Sequence, residues 1–409
     1  MLKRFGLMLA VAIALVVAGD AQAQTAFGTG NLVVLRVADR TDAVAIARAV
    51  EIREYATSTT SLGTAVQTVA VPSSSSATNR FTIVGNSTAG GSLSLNPNGT
   101  VTFAGYRAAS GDTTPNGATS ATVNRVIGSL DLATGIFNTN VGLTGAFSTL
   151  SFRSAATSDG QTFYLSGANG TTGSAQIATV TGGLPATVTT IATMTALTTS
   201  TSNNLRNIQV ANGNLFVASG SATPGQQIHQ IGSGTPTTGS QALTASFGNQ
   251  GSTNQYNSFT LARLGTGTSW NSTGFDTIYA VDNDNATGST VQKWSFNGTN
   301  WSAAGTISVV GANNIAIRQN ATSVDLFVTT QTSTVATLST IQAITDTSGF
   351  GGTLTGSFTT ILTGTGNEGF LGVAFTPVPE PGTVLAISAA AVVLVGAVRR
   401  RRRGEPVLA

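Results

Sequence analysis

The chain has no cysteine and a single histidine among its 409 residues. Without cysteine there is no disulfide, no thiol nucleophile and no thiolate ligand, so the body must be held together by burial alone. A structural zinc site, which needs four N/S ligands, is excluded by residue count. Serine catalysis would have to borrow its base from His229, and no G-x-S-x-G elbow surrounds any serine. Charged residues make up only 9% of the chain. Between the two ends, residues 24–377 carry 12 basic and 13 acidic side chains, a balance of −1, so the formal charge of +3 belongs to the termini. No Lys/Arg cluster of the kind that nucleic acid requires lies in the body. Helical periodicity is also scarce, with one candidate at 41–49 (TDAVAIARA).

What the body does contain is strand after strand. Short runs rich in β-branched and aromatic residues are bounded by Gly, Asn, Asp or Ser. They fall at 32–37, 50–55, 66–71, 92–95, 101–106, 126–130, 162–165, 175–180, 215–218, 278–281, 291–296, 306–310, 326–329 and 370–375. Asn98-Gly99 is a type I′ hairpin signal. Recurrent Val, Ile, Leu and Phe argue for a folded body despite its wealth of Gly, Ser and Thr.

A longer pattern recurs about every 50–60 residues, the length of a four-stranded sheet with its loops. Phe152-Arg153-Ser154-Ala155 and Leu205-Arg206-Asn207-Ile208 each open such a unit. Further units run through Phe259 and Ile278, through Ile315 and Leu326, and through the hairpin at 92–106. The spacing predicts an all-β protein, a β-propeller of six four-stranded blades, or seven if 112–120 hides part of another. The run 369–375 has no strands after it. It is expected to join 32–37, 50–55 and 66–71 in one shared blade that closes the ring. A β-helix would need coils of about 20–25 residues, which the sequence does not show.

The ends carry addresses. Lys3 and Arg4, the apolar run 5–18 and the A-x-A site at Ala21 and Ala23 read as a signal peptide over 1–23, delivered to the Sec translocon and cleaved before Gln24. Residues 378–409 hold Pro379, Glu380 and Pro381, then an apolar run at 383–398, then Arg399, Arg400, Arg401, Arg402 and Arg403. The prolines impose an extended segment. The run is 16 residues long, a short transmembrane helix against the ~17–25 that a bilayer takes. The arginines keep its end cytoplasmic and place the body across the membrane. This order resembles the PEP-CTERM sorting signal of biofilm-forming Gram-negative bacteria, a tail also labelled ice-binding protein C-terminal. The resemblance covers the tail and implies processing by an exosortase near the tripeptide. Leu32-Val33-Val34-Leu35-Arg36-Val37, the run from Glu54 to Pro72, and Val291-Gln292-Lys293-Trp294-Ser295-Phe296 resemble exported propeller-like bacterial proteins, which implies a fold and no activity.

Few residues invite chemistry. Asp282-Asn283-Asp284 alternates oxygen ligands as calcium loops do, yet lacks their sixth-position Gly and twelfth-position Glu. A lone His229 reads as a surface strand residue. Trp270, Trp294 and Trp301 could stack on sugars, but Trp294 sits in a strand and reads as packing. The 13 acids of residues 24–377 nominate no glycosidase pair. The expectation is therefore a non-enzymatic protein with no metal, cofactor or catalytic residue. It is exported across the inner membrane, anchored there by its tail, then placed at the cell surface or in the extracellular matrix with exopolysaccharide as a partner. A carbohydrate- or calcium-binding lectin-like propeller and a carboxylate-based surface hydrolase are the alternatives.

Overall fold

At Asn98-Gly99 the chain reverses, Gly99 taking φ +78°, a value that a Cβ would disfavour. Ser94–Leu95 then pairs back on Thr100–Tyr106. Such hairpins repeat throughout the computed structural model. It describes residues 25–377 apart from 41–44, 86, 88–89, 169–173, 181–188, 192–194, 199–203, 222–224, 248–254, 284–287 and 332–337. The described strands form six sheets of four or five strands and one two-stranded pair.

Each of the six is a propeller blade. Blade 1, innermost strand first, is Gly369–Phe375, Leu32–Val37, Val50–Tyr55 and Gln67–Ala70. Blade 2 is Ser94–Leu95, Thr100–Tyr106, Arg125–Asp131 and Phe137–Leu143, extended by Thr189–Ile191 running parallel to the last. Blade 3 is Phe152–Thr157, Thr162–Gly167, Ala175–Thr179 and Thr195–Ala196. Blade 4 is Leu205–Ala211, Asn214–Ser219, Ile228–Ile231 and Leu243–Ala245. Blade 5 is Tyr256–Ala262, Thr277–Asp282, Thr290–Phe296 and Trp301–Ser308. Blade 6 is Ala312–Gln319, Val324–Thr330, Thr340–Asp346 and Thr359–Thr363.

The expected shared blade is present. Leu32 pairs with Phe375 and Val34 with Val373, so the two ends of the body close the ring. A clasp follows: Asn31 N donates to Thr376 Oγ1 (2.8 Å) and Thr376 N donates to Asn31 O (2.9 Å). There is no seventh blade among the described residues. The 112–120 stretch instead packs on the two-stranded pair, with Ile46 bridging Thr113. The helical reading of 41–49 is corrected over 45–49, while 41–44 lie outside the described residues. Ala47–Arg48 is a strand on Ile83–Val84, and the Ala47 amide donates to Asp112 O (2.8 Å). Backbone pairing available from two neighbours outweighs a weak local helical preference.

The core lies between blades, because each inner strand is covered on both faces. In the second strand of blade 6, Leu326, Phe327 and Val328 are all at 0% exposure, whereas the outer strand Thr359–Thr363 is mostly exposed. Close blade approach needs missing side chains. A Cβ on Gly372 would sit 2.3 Å from Gly91 O and 2.7 Å from Leu93 Cγ. Gly372→Ala should therefore destabilise the protein by about 1–3 kcal/mol, the usual effect of overpacking. Thermal unfolding of the variant checks this, and an unchanged Tm would contradict so tight a blade 1–blade 2 contact.

The signal peptide, with Ala21 and Ala23, and the tail from 378 onward, with its span at 383–398, lie outside the described residues. Among the described residues no helix is long and apolar enough to cross a membrane.

Candidate ligand site at the channel mouth

The innermost strands of five blades carry an irregularity at one shared place. Their pairing with the second strand skips between Phe152 and Ser154, between Leu205 and Ile208, between Tyr256 and Ser258, and between Ala312 and Asn314. In the closing strand it skips at Leu371. A bulge inserts an unpaired residue and re-aims its side chain. Here the re-aimed positions are Arg153, Arg206, Asn257, Asn313 and Leu371, all near the start of their strands.

These positions touch one another around the channel. Arg206 donates to Asn257 Oδ1 and, through Nη2, to Gln255 Oε1 (2.6 Å). Asn257 Nδ2 donates to Asn313 Oδ1 (3.3 Å), and Asn313 Nδ2 donates to Leu371 O (3.2 Å). Arg153 donates to Asn204 Oδ1 and to Leu205 O. The next residue along each strand forms a floor. Asn314 Nδ2 donates to Ser258 Oγ (2.8 Å) and Val373 N donates to Asn314 Oδ1 (2.7 Å). Ser94 Oγ reaches from blade 2 to Ile208 O in blade 4 (2.7 Å), so the channel is narrow at this depth. The site is a rim of amides and guanidiniums above a buried polar floor.

Its electrostatics are one-sided. Arg206 is 7% exposed, and Arg153 is half-buried. Burial lowers Arg206 to about 9; the neighbouring Arg153 charge adds to this and Asp282 opposes it. Burial lowers Arg153 to about 10, with the Tyr106 phenol pulling the other way. Both side chains also keep a buried Nε without a hydrogen-bond partner. Gly220 makes the room: a Cβ there would lie 2.6 Å from Arg206 Nε. A cavity of about 120 Å³ opens between Tyr106, Ser151, Phe152 and Gly91, next to Ile83 and Val84 of the two-stranded pair.

The residues expected to matter fall elsewhere. His229 is not a surface residue but 1% exposed. Its Nε2 lies 3.1 Å from Gly225 O, and burial lowers its pKa. Trp270 and Trp294 are buried, and Trp294 stacks on Phe247 with centroids 4.1 Å apart, so packing is what they do. Asp282 accepts from Gln255 N (2.8 Å) and from Gln292 Nε2 (3.4 Å); Asp284 lies outside the described residues. Among the described residues no three His, Asp or Glu side chains are grouped to hold a metal. A second cavity, of about 220 Å³ between blades 5 and 6, is lined by one carboxylate, Asp346, which is already bonded to Lys293. Pro379, Glu380, Pro381 and Arg399 to Arg403 also lie outside the described residues.

Fold and site thus define a six-bladed propeller with a cationic, amide-lined channel mouth. No protein-family model and no curated protein matches the chain. Solved structures do. A "putative 6-phosphogluconolactonase" from Bacteroides uniformis is 12% identical, with 82% of this chain and 83% of that one covered and a TM-score of 0.43. A periplasmic gluconolactonase from Pseudomonas aeruginosa is 11% identical, with 85% and 100% covered and a TM-score of 0.40. A nidogen/laminin complex contains a chain that is 12% identical, with 84% and 98% covered and a TM-score of 0.45. Two of these three names are lactonases. The expectation of a non-enzymatic protein is corrected on that ground and withdrawn. Likeness at this identity concerns the fold and carries no activity to this chain.

Proposed function

We propose that this chain is an exported propeller, sorted by an exosortase through its tail, which displays its channel mouth at the cell surface or in the exopolysaccharide matrix. The observation that carries the reading is where the tail leaves the body. The closing strand passes the rim at Leu371 and ends at Phe375; Thr376 is then clasped to Asn31. At ~3.3 Å per strand residue, Thr376 lies roughly 16 Å below the rim. A tail anchored in the membrane would hold the body by the face opposite Arg153 and Arg206. The mouth would then point away from the bilayer, towards matrix polymer. The A-x-A leader, the Pro379-Glu380-Pro381 triplet and the Arg399–Arg403 cluster support export and sorting.

Replacing Pro379, Glu380 and Pro381 with alanine should leave full-length protein in the inner-membrane fraction, with little or none released. Fractionation and mass spectrometry of the C-terminus check this. Normal processing of the triple variant would sink the sorting reading.

A further inference from the structure

We infer that the channel mouth is a carboxylate site, in which Arg153 and Arg206 take the acid group of a uronic-acid-type sugar and the rim amides take its hydroxyls. The inference rests on the reading of the mouth as the ligand face, and gives that face its ligand class.

The argument is one of uncompensated charge. A buried guanidinium is costly unless a partner supplies negative charge and fills its donors. Arg206 is bonded instead to two neutral amides, Asn257 and Gln255. The polar partners of Arg153 are another amide and a carbonyl. Asp282 is the carboxylate whose charge reaches Arg206, and it is shared with the Gln255 backbone. Two cations in adjacent blades therefore repel one another, and among the described residues one carboxylate, Asp282, offsets them. The buried cation of the neighbouring blade 5 shows the contrast. Lys293 is fully buried and spends its donors on Asp346, Ser348 and Gly349, leaving nothing for a ligand.

Guanidinium is suited to carboxylate because its planar fork can bind both oxygens. The bulges place both side chains near the start of their innermost strands, where each bonds across towards the next blade. Asn257 and Asn313 follow on the same rim, and amides offer both donors and acceptors to hydroxyl groups.

The test is calorimetric titration of the full chain in detergent with sodium glucuronate, glucose and inorganic phosphate. Glucuronate should bind at least about tenfold more tightly than glucose, the step expected for a charge-assisted contact. Arg153→Gln and Arg206→Gln should each weaken glucuronate about tenfold. Gly220→Ala keeps both charges but crowds Arg206 Nε, and should weaken it in the same direction while the chain stays folded by circular dichroism. Equal affinity for glucose and glucuronate would overturn the carboxylate assignment while leaving the ligand face in place. Phosphate binding as tightly as glucuronate would overturn the sugar assignment. No heat with any probe would overturn the ligand face itself. Glucuronate binding untouched by all three substitutions would show that the arginines only brace the rim. None of these outcomes depends on tail processing, so failure of the sorting reading is seen separately.

Discussion

Lys293→Ala should destabilise the protein by about 3–5 kcal/mol, the usual loss when one partner of a buried ion pair is removed. Lys293 is at 0% side-chain exposure and Asp346 at 3%, with Nζ 2.8 Å from Oδ2. The remaining Nζ donors go to Ser348 Oγ (2.8 Å) and Gly349 O (2.7 Å). Tyr279 adds its hydroxyl to the same Asp346 oxygen at 2.7 Å. Alanine would strand a buried carboxylate and leave two acceptors unfilled. Burial alone would raise the Asp346 pKa, but the hydrogen bonds from Lys293, Ser348 and Tyr279 outweigh it and hold the group below its ordinary value. Tyr279 is raised in turn, by burial first and then by its bond to Asp346. The sign for stability follows. Asp346 contributes fully above the unfolded carboxylate value of about 3.9, and the contribution is lost as pH falls through its lower folded value. In Lys293→Ala, which lacks this contribution, the loss relative to the parent should therefore be largest at neutral pH and shrink as pH falls. Urea titrations at neutral and acid pH check both effects. A loss below about 1 kcal/mol would mean that the pair is not the blade 5–blade 6 tie that its geometry describes.

Phe327→Ala should cost a comparable ~3–5 kcal/mol, the range for deleting a buried phenyl ring. Its particular consequence concerns where the ring opens. Phe327 is fully buried, edge-on to Phe375 with centroids 4.9 Å apart. It packs in the cluster that joins blade 6 to Leu32, Val34 and Val373 of blade 1. Phe375 belongs to the strand supplied by the far end of the body, so this seam meets the blade built from both ends. Hydrogen exchange should show the amides of Gly369–Phe375 losing protection first. Phe163→Ala is the control, since Phe163 is equally buried but lies in the blade 2–blade 3 cluster. Equal exposure of the closing strand in both variants would mean that the ring has no weak seam there.

The legible strands and the illegible ones differ by layer. Runs such as Leu215 to Ala218 and Leu326 to Thr329 are covered on both sides, so they read as continuous apolar segments. The outer strands Thr195–Ala196, Leu243–Ala245 and Thr359–Thr363 are largely exposed and Thr-rich, and nothing marked them off from loops. The shared blade was legible because the run at 369–375 had no sequence left to pair with. His229 was misjudged because a polar residue in a third strand gives no sign of which face it takes. The pair Arg153 and Arg206 was visible as a repeat, at one register in consecutive units, but only as a marker of blades.

Sequence alone determined the all-β class, the blade spacing, the closure by both ends and the −1 balance of residues 24–377. These are matters of local pattern and count. The tertiary structure decided that the number of blades is six, that Trp270 and Trp294 are core, and that the charges of Arg153 and Arg206 act on one another. Two arginines 53 residues apart in the chain acquire a common field only once their blades stand side by side and a bulge in each turns the side chain to the channel. The lowering of both guanidiniums arises from burial, which belongs to the assembled ring and to no single strand of it.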